Sequence, residues 1–166
     1  VYEKTKKPVV HSPVKGNAKD GFKWGLFSYT KFVGPPEPRM GEEAAKYYQS
    51  LGFKTKVCNS PVETEFAKLL ETTYYGVMIA WHQEANRICK KYGLSWDNVT
   101  KFTWLVTEEG GYRNHLLRPY FYPGFIGGHC VIPNAQILKS IYPSAFVDAL
   151  LESNQRRKGE KDEWNP

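Results

Sequence analysis

A cysteine stands directly behind a glycine-rich stretch of the sequence, Pro123 to His129. Glycine lacks a side chain, so its backbone reaches positive φ angles and lets a ligand approach the main chain closely. A cysteine at the end of such a loop can be presented to a substrate, where its thiolate would act as a nucleophile. The alternative is an ordinary half-buried thiol after a tight turn. Cys130 is therefore the first candidate for chemistry in this chain.

Composition narrows the class of protein. A chain of 166 residues allows one domain with a small appendage. No apolar run approaches the ~18 residues that a membrane helix needs, and no signal-peptide pattern precedes Pro8, so we expect no membrane partner. The three cysteines, Cys58, Cys89 and Cys130, are odd in number and widely spaced. This spacing indicates reduced thiols in the cytoplasm, without a disulfide framework or a structural metal site.

The net charge of +6 could attract phosphates. Basic residues cluster at Lys4 to Lys7 and at Arg156 to Lys161, both close to a terminus, and acidic residues interrupt the second cluster. We interpret both clusters as solvated tails and do not expect nucleic acid as a partner. A modest positive field would equally suit a small anionic ligand.

The first third of the sequence predicts a small α/β segment. The expected strands and helix come in the order of a strand-helix-strand unit: a short strand at Pro8 to His11, a strand at Phe27 to Gly34, a helix at Gly41 to Leu51 and a strand at Lys54 to Cys58. Gly52 follows the helix, where a C-cap glycine belongs.

A very long helix dominates the rest of the prediction. Ser60 is a good N-cap, Pro61 suits the first helical position, and Glu63 can reach back to the Ser60 amide as in a capping box. Apart from Gly76, nothing breaks the helical pattern before Gly93, which predicts roughly 30 residues and about 45 Å of helix. Apolar residues cover more than one face, so the helix needs burial on two sides. We expect a homodimer through Pro61 to Tyr92; the alternative is a bundle helix buried by its own chain.

Three weaker predictions complete the chain. Ser95 caps a helix that reaches Val106 or so, Thr107 to Asn114 is a loop, and Ser144 caps a last helix through Asn154. The fold class is therefore α+β, mainly helical. The predicted domains are a partial α/β segment at 1–59, a helical dimerisation domain at 60–157 and a disordered tail at 158–166.

Two segments, Ser60 to Tyr74 and Pro123 to Cys130, resemble in type and order the central part of the UDP-glucose/GDP-mannose dehydrogenase family. The branch that oxidises UDP-N-acetylmannosamine is the most similar, because it carries a Pro-Gly…Gly-Gly-His-Cys loop. The resemblance covers roughly residues 8 to 155. It implies that residues 1–59 are the end of a Rossmann-like nucleotide-binding domain and that the long helix forms a dimer core.

The resemblance also implies roles for individual residues. In the family, the hydroxymethyl carbon of a nucleotide sugar is oxidised in two NAD-dependent steps, and a cysteine captures the aldehyde and then carries a thioester. Cys130 matches that cysteine, and Lys68 matches the lysine that holds the developing oxyanion. Read without the family, Lys68 is a solvated helix lysine.

Four further positions would hold the sugar nucleotide. Arg113 and Asn114 resemble the Arg and Asn that bind it ahead of the glycine loop, although the spacing is about three residues longer here. Gly127 and Gly128 belong to the loop itself. His82 and His115 lack partners at metal-ligand spacing, and His129 fits the branch motif without a clear chemical role. All three are interpreted as structural or surface residues, so no metal is expected.

Three positions depart from the family pattern. Thr72 replaces an asparagine, Asn134 replaces an aspartate that helps to activate water, and Val14 replaces a glutamate that serves hydrolysis. Amide and alkyl groups cannot take up the proton, and general acid/base assistance is worth typically about 10²–10⁴-fold. No Gly-x-Gly-x-x-Gly opens a helix, so for this chain alone we expect no cofactor, although the family uses NAD.

These departures predict a non-catalytic module, a pseudoenzyme that dimerises and binds. The alternative is a component of an NAD-dependent UDP-sugar dehydrogenase whose cofactor domain another chain supplies. Both readings leave a nucleotide sugar as the candidate ligand.

The reactivity of Cys130 tests the resemblance. If Lys68 lies beside the thiol, its charge favours the thiolate, so Cys130 should react with iodoacetamide faster than Cys58 or Cys89, and Lys68→Met should slow it. Alkylation rates measured by mass spectrometry in the native protein check this. Equal rates for the three cysteines, unchanged by Lys68→Met, would contradict it.

Overall fold

The computed structural model describes residues 2–16, 23–111 and 117–160. The chain divides into two compact units, residues 1–70 and residues 71–166. Helices predominate and a single small sheet occurs in the described part, which confirms the mainly helical α+β class. Among the described helices, none combines the length and hydrophobicity that crossing a bilayer requires.

The first unit contains a two-stranded parallel sheet with a crossover helix. Strand β1 (Lys31–Val33) pairs with β2 (Thr55–Val57), with Phe32 opposite Lys56. Two short helices precede the sheet, α1 (Tyr2–Thr5) and α2 (Lys23–Ser28), and α3 (Pro38–Ser50) connects the strands. This confirms the predicted strand-helix-strand order.

The glycine after α3 has the predicted role. Gly52 has φ +88°, and its N–H donates to Gln49 O at 2.9 Å, while the Phe53 N–H donates to Tyr48 O at 3.1 Å. This pairing satisfies carbonyls at the end of the helix and favours glycine, because other residues are strained at positive φ.

Two predicted strands are shorter than expected. The strand expected at Phe27 to Gly34 retains only β1, because its first residues belong to α2. The strand expected at Pro8 to His11 is reduced to one antiparallel bridge, in which His11 pairs with Gly34. Alternating aromatic residues indicated a strand at Phe27 to Gly34. Tertiary packing overrode that local preference for extended backbone.

The long helix α4 (Pro61–Tyr92) has the predicted bounds, but its start differs in detail. The Glu63 N–H donates to Ser60 Oγ at 3.3 Å, as a capping box requires. Instead of the Ser60 N–H, the Glu63 carboxylate accepts from the backbone N–H and the side-chain amide of Asn59, each at 2.9 Å. These two hydrogen bonds lower the pKa of Glu63.

The second unit packs three further helices with the C-terminal part of α4. They are α5 (Trp96–Val106), α6 (Val131–Ile141) and α7 (Ala145–Gly159). The α5 prediction is confirmed, including the Ser95 cap, which accepts from the Asn98 N–H. Thr107–Gly111, expected to be part of a loop, forms a single π-helical turn. Sequence reasoning did not find α6.

Gly76 lets the other helices approach α4 closely. A Cβ atom there would come within 2.5 Å of Val131 Cγ1 and 2.8 Å of Leu150 Cδ2. The buried core around this point includes Ala135, Val147 and Leu150. The break that Gly76 makes in the apolar pattern of α4 is therefore the place where α6 and α7 dock.

Helix α7 continues five residues beyond its predicted end at Asn154, because its last turn is anchored. The Arg157 side chain is 2% exposed and contacts Glu160 Oε2 at 3.0 Å. Arg87 on α4 donates to Glu160 Oε1 at 2.6 Å and to Ser153 O at 2.8 Å. A carboxylate shared by two arginines stabilises a turn that would fray as an isolated sequence.

This arrangement predicts how acid destabilises the second unit. Partial burial alone raises the pKa of Glu160, but the hydrogen bond from Arg87 and the charges of Arg157, Arg87 and Arg156 outweigh it and hold the pKa below the usual 4.5. Because the folded pKa is lowered, the stabilisation is complete above 4.5 and is lost as the pH falls through the folded value.

Glu160→Gln should therefore lower the free energy of unfolding by about 1 kcal/mol at pH 7, as expected for a partly exposed ion pair. The difference between native protein and variant should vanish in acid. Urea unfolding at a series of pH values measures it, and a difference that persists unchanged at pH 2 would contradict the assignment.

Candidate thiol site

Cys130 lies at the start of α6, in the N-cap position. Its backbone has φ −106° and ψ −54°, and its side chain makes no capping hydrogen bond. The thiol belongs to an exposed residue, and the carbonyl of Cys130 accepts from the Asn134 N–H at 3.0 Å. The first amides of a helix point along its positive end, where a negative charge is stabilised. The exposed Cys130 thus lies at the N-terminal end of α6, where the helix favours a bound negative charge.

The glycines before Cys130 do not act as the sequence reasoning assumed. None of Gly124, Gly127 and Gly128 has a positive φ, since among described glycines only Gly16, Gly52 and Gly93 do. The positive φ angles that glycine permits are therefore not used in this stretch. What Gly128 provides is space, because a Cβ atom there would meet nothing within 4 Å. This leaves the approach to the thiol loop, Pro123 to Cys130, open on that side.

The two altered family positions in the second unit contact each other. Asn134, on the first turn of α6, donates its side-chain amide to Thr72 Oγ1 on α4 at 3.0 Å. Thr72 is 6% exposed, so the contact lies at the buried edge of the helix pair. Neither group can take up a proton near neutral pH. The position where the family has a carboxylate is therefore filled by an amide that already has a partner.

The structure relates none of the remaining predicted site residues to Cys130. Lys68 lies half-buried on α4 and Val14 is exposed, and both belong to the first unit. The proximity of Lys68 to Cys130 stays a prediction. Arg113 and Asn114 lie outside the described residues.

Sequence reasoning missed two buried amides that contact the thiol loop. Gln83 on α4 donates to Gly124 O at 2.7 Å, and Asn154 on α7 bonds both the N–H and the carbonyl of Ile126. Gln83 and Asn154 are 0% and 6% exposed. Polar residues at helix positions that should face the core were the available signal, since buried amides require partners.

His82 packs among aromatic rings within the second unit. It is buried, its Nδ1 lies 2.7 Å from Met78 O, and the rings of Trp96, Tyr120 and Phe121 surround it edge-on. No group of three potential metal ligands occurs in the described ranges.

A separate cavity of about 360 Å³ lies beside α5. Its lining residues are Asp97, Thr100, Lys101, Trp104 and Tyr120. None of the predicted site residues that the structure describes is among them.

Comparisons with solved structures identify the architecture. The chain is similar to the UDP-D-ManNAc dehydrogenase of Pyrococcus horikoshii (TM-score 0.73, 22% identity), with 90% of this chain and 34% of that chain covered. It is also similar to the UDP-glucose dehydrogenase of Pyrobaculum islandicum (TM-score 0.69, 19% identity), with 89% and 34% covered. For the UDP-N-acetyl-mannosamine dehydrogenase of S. aureus the TM-score is 0.63 and the identity 21%, with 89% and 32% covered.

These likenesses show the fold, and the chain spans about a third of the length of each of these proteins. No curated protein matches the chain in sequence. The family model for the central domain of the UDP-glucose/GDP-mannose dehydrogenase family matches residues 62–156. This range includes α4 from its second residue, α5, the thiol loop, α6, and α7 as far as Arg156. The chain therefore belongs to the UDP-glucose/GDP-mannose dehydrogenase family.

Proposed function

We propose that this chain is a non-catalytic module of dehydrogenase descent that dimerises through α4 and binds a nucleotide sugar at the thiol loop. The observation that carries the proposal is the hydrogen bond between Asn134 and Thr72. It joins the two altered family positions that lie in the second unit.

The chemical argument concerns the release of the product from the thiol. Hydrolysis of a thioester needs a group that takes a proton from water, and a carboxylate does this well. Asn134 lies one turn beyond Cys130, but its amide donates a hydrogen bond and accepts no proton. A thioester formed at Cys130 would therefore persist.

The dimer is supported by the outer face of α4. Its exposed residues Tyr74, Trp81, Ile88 and Tyr92 are 60%, 61%, 43% and 66% exposed, and their spacing of 7, 7 and 4 residues places them on one stripe. The opposite face is already buried within the second unit. A second copy of the chain would cover the stripe, which otherwise leaves a large aromatic surface in water.

One observation favours the alternative, in which the chain is a component of an NAD-dependent oxidoreductase acting on the CH–OH group of a nucleotide sugar. Cys130 is exposed and stands at the positive end of α6. A thiol kept there suits a working nucleophile. In that case another domain or chain would supply NAD.

The dimer is tested by sedimentation velocity at micromolar concentration. We expect a dimer for the unmodified protein and a monomer for Trp81→Lys, because a charge in the stripe must be desolvated on association. Phe146→Lys is the matched control, since Phe146 is 73% exposed on α7 and lies off the stripe. A monomeric unmodified protein, or a Phe146 variant that dissociates as readily as the Trp81 variant, would contradict the proposal.

The lack of catalysis is tested without a cofactor, by acylating Cys130 with p-nitrophenyl acetate. The thiolate displaces p-nitrophenolate and forms S-acetyl-Cys130, which water must then cleave to acetate and thiol. We expect the acetylated protein to accumulate, and Asn134→Asp to speed deacylation by at least about a hundredfold, the lower end of the range for general base assistance. Mass spectrometry of the Cys130 peptide follows both steps, with Asn134→Gln as the control.

Two results would overturn the non-catalytic proposal. The first is rapid deacylation in the unmodified protein. The second is formation of NADH from NAD and UDP-glucose, UDP-N-acetylmannosamine or GDP-mannose that disappears in Cys130→Ala.

A further inference from the structure

The segment that leads to Cys130 has no regular structure of its own. Residues 117–127 form neither helix nor strand, although Pro123 and Ile126 are buried. Buried backbone N–H and C=O groups require hydrogen-bond partners. In this segment, side chains from two helices supply them.

Asn154 on α7 pairs with the backbone of Ile126. Its Oδ1 accepts from the Ile126 N–H at 2.8 Å, and its Nδ2 donates to the Ile126 carbonyl at 3.1 Å. One amide side chain thus satisfies both polar groups of one residue, as a neighbouring β-strand would. Only an amide supplies a donor and an acceptor side by side in this way.

Gln83 on α4 holds the same segment two residues earlier. Its Nε2 donates to Gly124 O at 2.7 Å, and its Oε1 accepts from Ser153 Oγ at 2.8 Å. The Ser153 contact orients the Gln83 amide, so that its donor points at the loop. Gly124 and Ile126 are therefore tied to two different helices.

We propose that Asn154 and Gln83 are positioning residues for the thiol. Three residues lie between Ile126 and Cys130, so the Cα atoms of these two residues are at most about 14 Å apart. Fixing the backbone at Gly124 and Ile126 on one side, and α6 on the other, restricts where Cys130 lies. The positioning acts on the backbone, so it holds whether the thiol binds or catalyses.

A merely structural role for Asn154 is the competing explanation, because it shares the buried polar interface of α4 and α7. Asn86 provides the comparison. It is 2% exposed, and its Oδ1 accepts from Arg157 Nη1 and Nη2, both at 3.3 Å. It belongs to the same interface, and within the described residues it makes no hydrogen bond to the loop.

The test compares Asn154→Leu with Asn86→Ala in the 166-residue chain, with unfolding midpoints measured for both. Losing both hydrogen bonds should raise amide exchange at Ile126, whose N–H donates to Asn154, by about tenfold, the size expected for one net hydrogen bond. Asn86→Ala should leave exchange at this amide unchanged even where it lowers the midpoint equally. Asn154→Asp, which keeps the acceptor but loses the donor, should give a smaller increase.

A nitroxide on Cys130, in a Cys58→Ser, Cys89→Ala background, gives the second measurement. Its spectrum should sharpen with Asn154→Leu or Gln83→Met and stay unchanged with Asn86→Ala. Equal effects of the Asn154 and Asn86 variants on exchange and on label mobility would overturn the proposal, as would no effect of either. If Asn154→Leu does not fold, the comparison of Asn154→Asp and Gln83→Met with Asn86→Ala decides in the same way.

Discussion

The second unit depends on one constraint: the inner face of α4 buries the polar side chains of Gln83, Asn86 and Arg87, and these three need hydrogen-bond partners there. Gln83 and Asn86 are almost fully buried, and Arg87 is nearly so. A buried polar group without a hydrogen bond costs about 1–3 kcal/mol. The partners come from α7 and from the thiol loop, so the hydrogen bonds that satisfy α4 also determine where these elements lie. An apolar inner face would allow the helices to slide, whereas directional hydrogen bonds favour one arrangement.

The parts of the fold that could be predicted are those specified by local chemistry. Ser60 and Pro61 mark the start of α4, Gly52 ends α3, and Ser95 caps α5, because each of these residues satisfies or removes a backbone group at a helix end. The failures lie where long-range packing decides. Tertiary packing put the residues before β1 into a helix, and α6 was missed because Cys130 and Pro133 gave no ordinary start signal.

The candidate site shows the same division. The sequence indicated Cys130 as a thiol that could be presented to a substrate behind a glycine-rich stretch, and the residue is exposed, but of the glycines in that stretch only Gly128 has open space around it. The contact between Thr72 and Asn134 joins residues 62 positions apart, and no local pattern encodes it. Asn154 and Gln83 were missed for a related reason: sequence patterns show that a residue is polar, and only the fold shows which backbone group it meets.

Gly76 has a consequence for how this architecture can vary. The side chains of Val131 and Leu150 occupy the volume that any Cβ at position 76 would need. Val131 is the first residue of α6 and directly follows Cys130, so the height of the thiol above α4 is set by the absence of a single methyl group. A larger residue at position 76 would lift the start of α6, unless positions 131 and 150 became smaller at the same time. Positions 76, 131 and 150 are therefore sterically coupled, and a change in side-chain size at any one of them would shift Cys130.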